Sequence, residues 1–212
     1  LRRHLDESDS FSVGKASMII SRFTTLDLQR EHVDIHLSWI CEHLSGPPCV
    51  DVALSSLMVC LSNVKNRDCF LKKNGLSLLV NVCRTCTEGE TQRMYEACFC
   101  LWVLSFGDGD ATSEFGRSGA IDILCKFAGQ SSREKVTRVC IDSLKNLVEK
   151  DDDGEFCQMM LDQPNDLLML TASLMERHWG DAEISESIGS LRDVLQKNFR
   201  VLTSYERYEK EI

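Results

Sequence analysis

Proline and glycine are scarce in this chain, and no apolar run is long. Three prolines and 12 glycines among 212 residues exclude a collagen-like or otherwise fibrous protein, and 43% hydrophobic residues exclude a disordered one. The longest uninterrupted apolar run, Ala97–Leu104, has eight residues, whereas a membrane-spanning helix needs about 20. The sequence therefore predicts a globular domain with no direct membrane insertion.

Positive charge is also in short supply. The chain has 24 Lys+Arg against 33 Asp+Glu, which gives a formal net charge of -9. Binding to phosphate backbones or to acidic lipids needs clustered Lys and Arg, so we expect neither a nucleic acid nor an acidic membrane surface as a partner. The excess of negative charge is local. Residues 149–193 hold 12 acidic and three basic residues, and the rest of the chain is neutral.

Cysteine, in contrast, is abundant. The 11 cysteines are an odd number, and most lie inside apolar runs such as Met58–Leu61 and Ala97–Leu101. This setting is typical of reduced, buried thiols. A disulfide scaffold is usually shorter, richer in loops and preceded by a signal peptide, and none of these features is present. We therefore expect an intracellular, reducing compartment.

Apolar residues recur at intervals of three and four rather than two, which predicts helices almost throughout and an all-α fold. One apolar stripe lies on a helix that is expected to begin after Ser132; its members are Val136, Val139, Cys140, Leu144, Leu147 and Val148. Another lies on a long final helix over about residues 181–208; its members are Ile184, Ile188, Leu191, Leu195, Leu202 and Tyr205. Turn-forming residues separate the helices at residues 46–48, 89, 107–110, 129–132, 151–154, 164 and 180.

The helices repeat along the chain. Similar phrases that close an apolar helix begin at Leu61, Leu104 and Leu144, which are 43 and 40 residues apart, and two glycines in a second shared phrase, Gly75 and Gly119, are 44 apart. A period of about 40 to 44 residues is typical of armadillo and HEAT repeats. We therefore predict a right-handed armadillo/HEAT-type superhelical solenoid of about 4–5 repeats. The predicted repeats cover roughly residues 14–46, 49–88, 90–130 and 132–178, with a closing helix over 181–208.

Each glycine is expected to permit a sharp bend between two helices of its repeat. The alternative architecture is a compact helical bundle in which the repetition is accidental. Residues 1–212 form one domain in either case.

The sequence contains three patterns that resemble metal sites. Cys83, Cys86, Cys98 and Cys100 have a zinc-like spacing, but Cys98 and Cys100 point about 200° apart on one helix, which favours buried thiols. The i,i+4 pair of His32 and His36 lacks the zinc-protease glutamate, so a partly exposed helical face is the favoured interpretation.

The third pattern, Asp151–Glu155, lacks the alternating spacing of an EF-hand loop and is favoured as a solvated loop. No phosphate-binding loop or nucleophile motif occurs. We therefore predict a protein that is not an enzyme, with no catalytic residue, no metal ligand and no cofactor. A cysteine-ligated metal protein or enzyme remains an alternative, which metal analysis tests.

The third helix of an armadillo repeat lines the concave face of the stack. Aligning the predicted repeats gives a candidate groove for an extended peptide or a partner helix, which consists of Asn63, Trp102, Phe106, Arg138, Asp142 and Asn146. Trp102 is equally consistent with a core position, because it lies within the apolar segment 99–104.

Three phrases resemble a known family. The segment Cys98–Phe106 is similar to the Phe-Cys-Leu-Trp-Leu-Leu-(Ser/Thr)-Phe signature of the H subunit of V-type proton ATPases. Residues 133–147 resemble that family's Lys-Glu-Lys-Val-x-Arg helix, and residues 179–184 and 202–208 resemble the phrases that precede its C-terminal domain. The resemblance covers residues 94–212 in the correct order, and residues 1–93 match through the repeat pattern.

The resemblance implies a non-catalytic regulatory subunit on the cytosolic face of acidifying vacuolar or endosomal membranes. Its N-terminal solenoid is expected to dock on the peripheral stalk made by the E and G subunits, next to other subunits of the soluble sector, and to couple ATP hydrolysis to proton transport. The chain is expected to be a fragment without the C-terminal domain that silences hydrolysis. The alternative function is an unrelated armadillo/HEAT adaptor that binds an extended peptide or a trafficking partner.

Overall fold

Regular structure in this protein is helical wherever the chain is described. The computed structural model describes residues 10–24, 30–46, 49–87, 89–107, 110–151, 154–162 and 165–211, and every regular element within these ranges is an α-helix. The predicted turn residues 47–48, 108–109, 152–153 and 164 lie outside the described part of the chain. None of the helices in the described ranges is both long and apolar enough to cross a bilayer.

Contacts between Cα atoms divide the chain into two compact units, residues 1–107 and 108–212. The described helices of the first unit are α1 (Ser10–Thr24), α2 (Arg30–Leu44), α3 (Val50–Cys60), α4 (Val64–Leu71), α5 (Gly75–Thr85) and α6 (Thr91–Ser105). Those of the second are α7 (Asp110–Ser118), α8 (Ala120–Gln130), α9 (Glu134–Glu149), α10 (Glu155–Leu161), α11 (Leu167–Met175) and α12 (Ala182–Glu211). A short, a medium and a long helix follow one another in α4–α6, in α7–α9 and in α10–α12. The predicted boundaries between repeats stay a prediction.

Helix α3 is the centre of the first unit, since it packs against α1, α2 and α6. Apolar side chains on these helices are fully buried, among them Leu37, Leu54, Leu57 and Leu101. Burial of one such side chain stabilises the fold by about 1.5–3 kcal/mol. The core of this unit therefore lies along the faces that α3 shares with its neighbours.

Helix α9 has the same place in the second unit, where it packs against α8 and α12. All six residues of the stripe predicted on α9 are buried, which confirms that prediction. On α12, Ile184, Ile188, Leu191 and Leu195 are buried as predicted, whereas the side chains of Leu202 and Tyr205 lie outside the described part of the chain.

A residue with left-handed backbone directly precedes the middle helix of each three-helix group, that is α5, α8 and α11. These residues are Asn74 (φ 59°) before α5, Gly119 (φ 78°) before α8 and Asp166 (φ 36°) before α11. The bend predicted at Gly75 therefore lies one residue earlier, at Asn74, whereas the bend predicted at Gly119 lies at that residue. Asn74 makes the bend because Asn, like Asp, tolerates this conformation better than other residues with a side chain.

Gly75 has a different role, which concerns packing. A Cβ atom at this position would lie 2.5 Å from ring atoms of the buried Phe70. The missing side chain therefore lets the start of α5 approach α4 closely.

A chain of buried polar groups connects α1, α2 and α3. The hydroxyl oxygens of Ser17 and Ser56 are 2.5 Å apart, Ser21 Oγ donates to the Ser17 carbonyl oxygen, and His36 Nε2 lies 2.9 Å from Ser21 Oγ. Since the hydroxyl proton of Ser21 is already donated, Nε2–H of His36 donates to Ser21 Oγ and Nδ1 is unprotonated. His36 Nδ1 has no hydrogen-bond partner.

The partly exposed position predicted for His36 is wrong, because its side chain is 2% exposed while His32 is exposed. The stripe of α2 that faces the core includes His36 because Val33, Leu37 and Ile40 lie on the same side of the helix. Burial lowers the pKa of His36 to about 4, so its imidazole is neutral near pH 7.

The cysteines are free thiols, and most of them are buried, as predicted. Only Cys41, Cys69 and Cys86 are partly exposed. A hydrogen bond with Cys98 and burial raise the pKa of Cys83, and burial raises that of Cys100. These thiols therefore behave as small apolar groups of the core.

Replacing Gly119 by Ala is expected to lower the free energy of unfolding by roughly 1–2 kcal/mol, because a Cβ atom is strained in left-handed backbone. Gly119→Asn should cost less, since Asn tolerates this conformation. Urea unfolding followed by far-UV circular dichroism measures both changes. Gly89→Ala is the control, because nothing lies within 4 Å of the added Cβ atom. Equal losses in the two alanine variants would contradict the role given to Gly119.

Acidification from about pH 6.5 to pH 4 is expected to destabilise the fold through His36. In this range an unfolded histidine with a pKa of 6.5 binds a proton that the folded one, with a pKa of about 4, does not. Stability therefore falls as pH falls, by at most about 1.4 kcal/mol per pH unit. Urea unfolding at several pH values should show a flatter pH dependence in His36→Leu. The same pH dependence in both proteins would show that His36 contributes nothing.

Candidate interaction surface

Four aromatic side chains form a continuous row along α6 in the first unit. Neighbouring ring centroids are 6.1 Å apart for Tyr95 and Phe99, 5.3 Å for Phe99 and Trp102, and 5.1 Å for Trp102 and Phe106. The first three side chains are partly exposed and Phe106 is 45% exposed. We call Tyr95, Phe99, Trp102 and Phe106 the aromatic row.

The sequence allows two interpretations of Trp102, a position in the groove and a position in the core. Its side chain is neither fully buried nor fully exposed, and it lies between two rings that also reach the surface. Trp102 therefore belongs to a surface feature as well as to the packing of α6. Tyr95 and Phe99 are missing from the predicted groove. The four residues of the aromatic row are spaced four, three and four apart in the sequence, which is the signal of one helical face.

Polar residues border α6 on the side that faces α3. Ser55 donates from α3 to Glu96 Oε2 at 3.0 Å, and Gln92 donates to Glu96 Oε1 at 2.9 Å. One turn earlier, Arg93 makes a two-point contact with Asp51, from Nε to Oδ1 at 2.6 Å and from Nη2 to Oδ2 at 3.0 Å. Arg93 thereby lowers the pKa of the Asp51 carboxyl.

A cavity of about 400 Å³ opens in the first unit beside Arg93. Its walls are formed by Leu44, Ser45, Gly46, Val50, Leu78, Asn81, Val82, Thr85 and Arg93. The cavity lies at the ends of α2 and α5, and its size would admit a small ligand or a large side chain. The Arg93 guanidinium at its edge is already paired with Asp51 and Glu90.

Asn63 lies between α3, which ends at Cys60, and α4, which begins at Val64. Its side-chain oxygen accepts a hydrogen bond from the backbone nitrogen of Lys65 at 3.0 Å, which makes Asn63 the N-cap of α4. An N-cap of this kind contributes about 1 kcal/mol to stability. The structure therefore gives this candidate groove residue a local role at a helix end.

In the second unit, Arg138 is held by carboxylates of α12 and of the turn before it. Nη1 donates to Asp181 Oδ2 at 2.7 Å, Nη2 donates to Glu183 Oε2, and Nε lies 3.9 Å from Asp142 Oδ2. Arg138 and Asp142, two candidate groove residues, thus form one ion-pair cluster. Asn146, a third, is partly exposed one turn further along α9.

The turn before α12 is also held to the rest of the second unit by hydrogen bonds. The backbone nitrogen of Gly180 donates to Glu134 Oε1 at 2.7 Å, and Arg177 Nη2 donates to the Gly129 carbonyl oxygen at 2.8 Å. The indole nitrogen of Trp179 donates to the Leu174 carbonyl oxygen at 2.9 Å.

Several carboxylates of the acidic segment 149–193 accept hydrogen bonds near helix starts. Asp151 accepts from the backbone nitrogen of Cys157, Asp166 from that of Met169, and Asp181 from that of Glu183. Carboxylates at such positions satisfy backbone N–H groups that have no partner within the helix. This use of Asp151 is consistent with the predicted solvated loop, of which residues 152–153 lie outside the described part of the chain.

No group of three or more His, Cys, Asp or Glu side chains is arranged to hold a metal ion in the part of the chain that the structure describes. The hydrogen bond of Cys83 with Cys98 and the burial of Cys100 place these thiols in the apolar core of the first unit.

A family model for the V-ATPase H subunit matches residues 1–195 of the chain. The chain belongs to the V-ATPase H subunit family. It is 30% identical over 205 residues to the probable V-type proton ATPase H subunit of Oryza sativa subsp. japonica, covering 94% of this chain and 43% of the relative. It is 25% identical to the V-type proton ATPase H subunit of Drosophila melanogaster, covering 98% of this chain and 45% of the relative. The chain thus spans less than half the length of these relatives.

Solved structures show that this member of the V-ATPase H subunit family has an armadillo-type fold. Computationally designed armadillo repeat proteins for modular peptide recognition superpose with a TM-score of 0.73 at 15% identity, over 91% of this chain and 79% of theirs. The armadillo repeats only protein from Plasmodium falciparum superposes with a TM-score of 0.68 at 16% identity, over 87% and 80%. The predicted all-α, armadillo-type solenoid class is therefore confirmed.

The Arg138 cluster is expected to stabilise the start of α12 in a salt-dependent way. Arg138→Met should lower the thermal unfolding midpoint, because it removes the cation that pairs with both Asp181 and Glu183. The difference from the unchanged protein should shrink at high salt, since salt screens exposed charges. Lys145→Met is the matched control, because among the described residues Lys145 Nζ forms an ion pair only with Glu149 Oε1, at 3.8 Å on the same helix. Calorimetric midpoints that fall equally in both variants would contradict the role of the cluster.

Proposed function

We propose that this chain serves as a non-catalytic regulatory part of the V-type proton ATPase, docking on the peripheral stalk formed by the E and G subunits. The observation that carries the proposal is the family match over residues 1–195. By docking there, the chain would couple ATP hydrolysis to proton transport. Its place would be the cytosolic face of acidifying vacuolar or endosomal membranes, next to other subunits of the soluble sector.

The described surface supports a docking role. The aromatic row gives the first unit a partly exposed apolar strip, and aromatic side chains are enriched at protein interfaces. Asn63, Trp102, Phe106, Arg138, Asp142 and Asn146 remain the proposed groove. Of these, Trp102 and Phe106 offer contact area, while Asn63 and Arg138 act within their own units.

A second candidate function is an armadillo adaptor that binds an extended peptide or a trafficking partner. Structural similarity to proteins designed for modular peptide recognition favours it. Another designed armadillo repeat protein with a similar fold, with a TM-score of 0.59, was solved in complex with the peptide (KR)4. Both functions use an exposed helical face, and they differ in the partner.

The stalk hypothesis predicts that the purified full chain binds a purified E–G heterodimer. Isothermal titration calorimetry should give saturable binding near one to one. The double variant Trp102→Ala, Phe106→Ala should bind at least tenfold more weakly, because it removes half of the aromatic row. Circular dichroism checks that this variant keeps its helix content. No binding by a folded, unchanged chain would reject docking on the E–G stalk and favour the adaptor function.

A further inference from the structure

Helix α11 in the second unit is apolar on more sides than its neighbours cover. Six of its nine residues are Leu or Met and none is charged, yet only Leu167, Thr171 and Leu174 are buried. Met169 is 68% exposed and Met175 is 50% exposed. A helix that is apolar all round is usually covered all round. The sequence of α11 is therefore suited to a further neighbour.

The equivalent helix of the preceding three-helix group, α8, indicates what kind of neighbour this is. Seven of the 11 residues of α8 are buried. Beyond its own group, α8 packs against α10 and α11 of the next one. Among the described helices, α11 packs against α8, α10 and α12, and none takes on α11 the place that α10 and α11 take on α8. The exposed side of α11 therefore corresponds to a side that a helix covers in α8.

Four side chains make up this exposed side. Leu168, Met169, Ala172 and Met175 lie within an arc of about 120° around the helix axis. Leu168 and Ala172 are partly exposed, and the two methionines are exposed. We call these four residues the α11 face. Their spacing of three and four residues matches the ridges of a second helix that packs across them.

An arginine without a carboxylate partner lies beside this face. Arg192, on α12, donates from Nη1 to Met175 Sδ at 3.8 Å, and its Nε is buried without a hydrogen-bond partner. A thioether sulfur is a weak acceptor. Among the described residues Arg192 forms no ion pair, although its side chain is partly buried. Since a partly buried charge is stabilised by an opposite charge, this edge of the α11 face is complementary to a carboxylate.

Acidic residues near Arg192 in the sequence do not supply that carboxylate. Asp193 and Glu186 lie about 100° and 120° away from Arg192 around the axis of α12. Glu176 follows Met175, and its side chain is exposed and makes no ion pair with Arg192 among the described contacts.

Charge also argues against a second copy of this chain as the cover. Residues 149–193, which include α11 and Arg192, hold 12 acidic and three basic residues. Two copies that met at the α11 face would bring these like charges together, and like charges that face each other across an interface oppose association. A helix of another protein does not have this disadvantage.

We propose that the α11 face and Arg192 bind an amphipathic helix of another protein, whose apolar side covers Met169 and Met175 and whose Asp or Glu pairs with Arg192. A helix laid on an apolar face in this way is anchored by residues spaced three and four apart. The site lies in the second unit, away from the aromatic row on α6, and it does not depend on docking to E and G.

The test uses the full chain and two synthetic helical peptides of about 18 residues, which is five turns. Both carry a stripe of Leu on one side and Ala, Gln and Lys elsewhere. One has a Glu in the middle of the stripe and the other has a Lys there. Fluorescence anisotropy of the labelled peptides should show saturable binding of the Glu peptide, at least tenfold tighter than binding of the Lys peptide. No saturable binding of the Glu peptide, or equal binding of both, would overturn the proposal.

Arg192→Gln tests the ion pair. It should reduce the preference for the Glu peptide to less than twofold, because Gln keeps a polar side chain and removes the charge. Arg84→Gln is the matched control, since it removes a guanidinium at an exposed position in the first unit, and it should leave the preference unchanged. The same loss of preference in both variants would show that net charge alone selects the peptide, which contradicts the site.

Met169→Gln tests the apolar contact. It should weaken binding of the Glu peptide several-fold. Val64→Gln is its control, because Val64, in the first unit, is 62% exposed and Met169 is 68% exposed, so neither change disturbs the core. Circular dichroism checks the helix content of both variants. Binding that falls equally in both, or in neither, would reject the α11 face as the site.

Sedimentation velocity of the full chain tests the alternative occupant. The chain should sediment as a monomer without the peptides. A dimer that dissociates in Met169→Gln would assign the α11 face to a second copy and overturn the proposal.

Discussion

The packing of one long helix against the next is the constraint on which each unit depends. In the first unit these helices are α3 and α6, and in the second they are α9 and α12. A single repeat has too little apolar surface to fold alone, so its neighbour must cover it. Because the apolar residues at these contacts are fully buried, they determine which polar residues meet at the edges. Ser55 therefore meets Glu96 41 residues later, and Arg138 meets Asp181 43 residues later, a separation of about one repeat.

Residue periodicity is sufficient to predict the helices and most of the core. The stripe on α9, the described part of the stripe on α12 and the burial of most thiols follow from the spacing of apolar residues. The bend before α5 is predicted at Gly75 rather than Asn74, because glycine is the usual signal for left-handed backbone and Asn is a weaker one. His36 is predicted on a partly exposed face, because the sequence around a histidine does not reveal whether a hydroxyl such as that of Ser21 will reach its ring.

The candidate surface is harder to predict than the fold. Aligning the repeats finds Trp102 and Phe106, and both reach the surface. The same alignment gives Arg138 and Asn63, whose polar atoms serve an ion-pair cluster and a helix cap. It misses the hydrogen bond between Ser55 and Glu96, which joins α3 to α6. Such properties depend on which side chains from another repeat lie opposite, and a linear pattern does not contain that information.

The buried thiols give this fold a set of internal probes. Both units contain them, for example Cys60 and Cys98 in the first and Cys125 and Cys140 in the second. A thiol reacts as its thiolate and only when reagent reaches it, so each buried sulfur is modified from a transiently open state of its own surroundings. The rates at which individual cysteines are alkylated therefore record how often each pair of stacked helices separates. The stability of a repeat chain is approximately a sum of contacts within and between neighbouring repeats. The alkylation rates would therefore rank the repeats by the free energy needed to open each one.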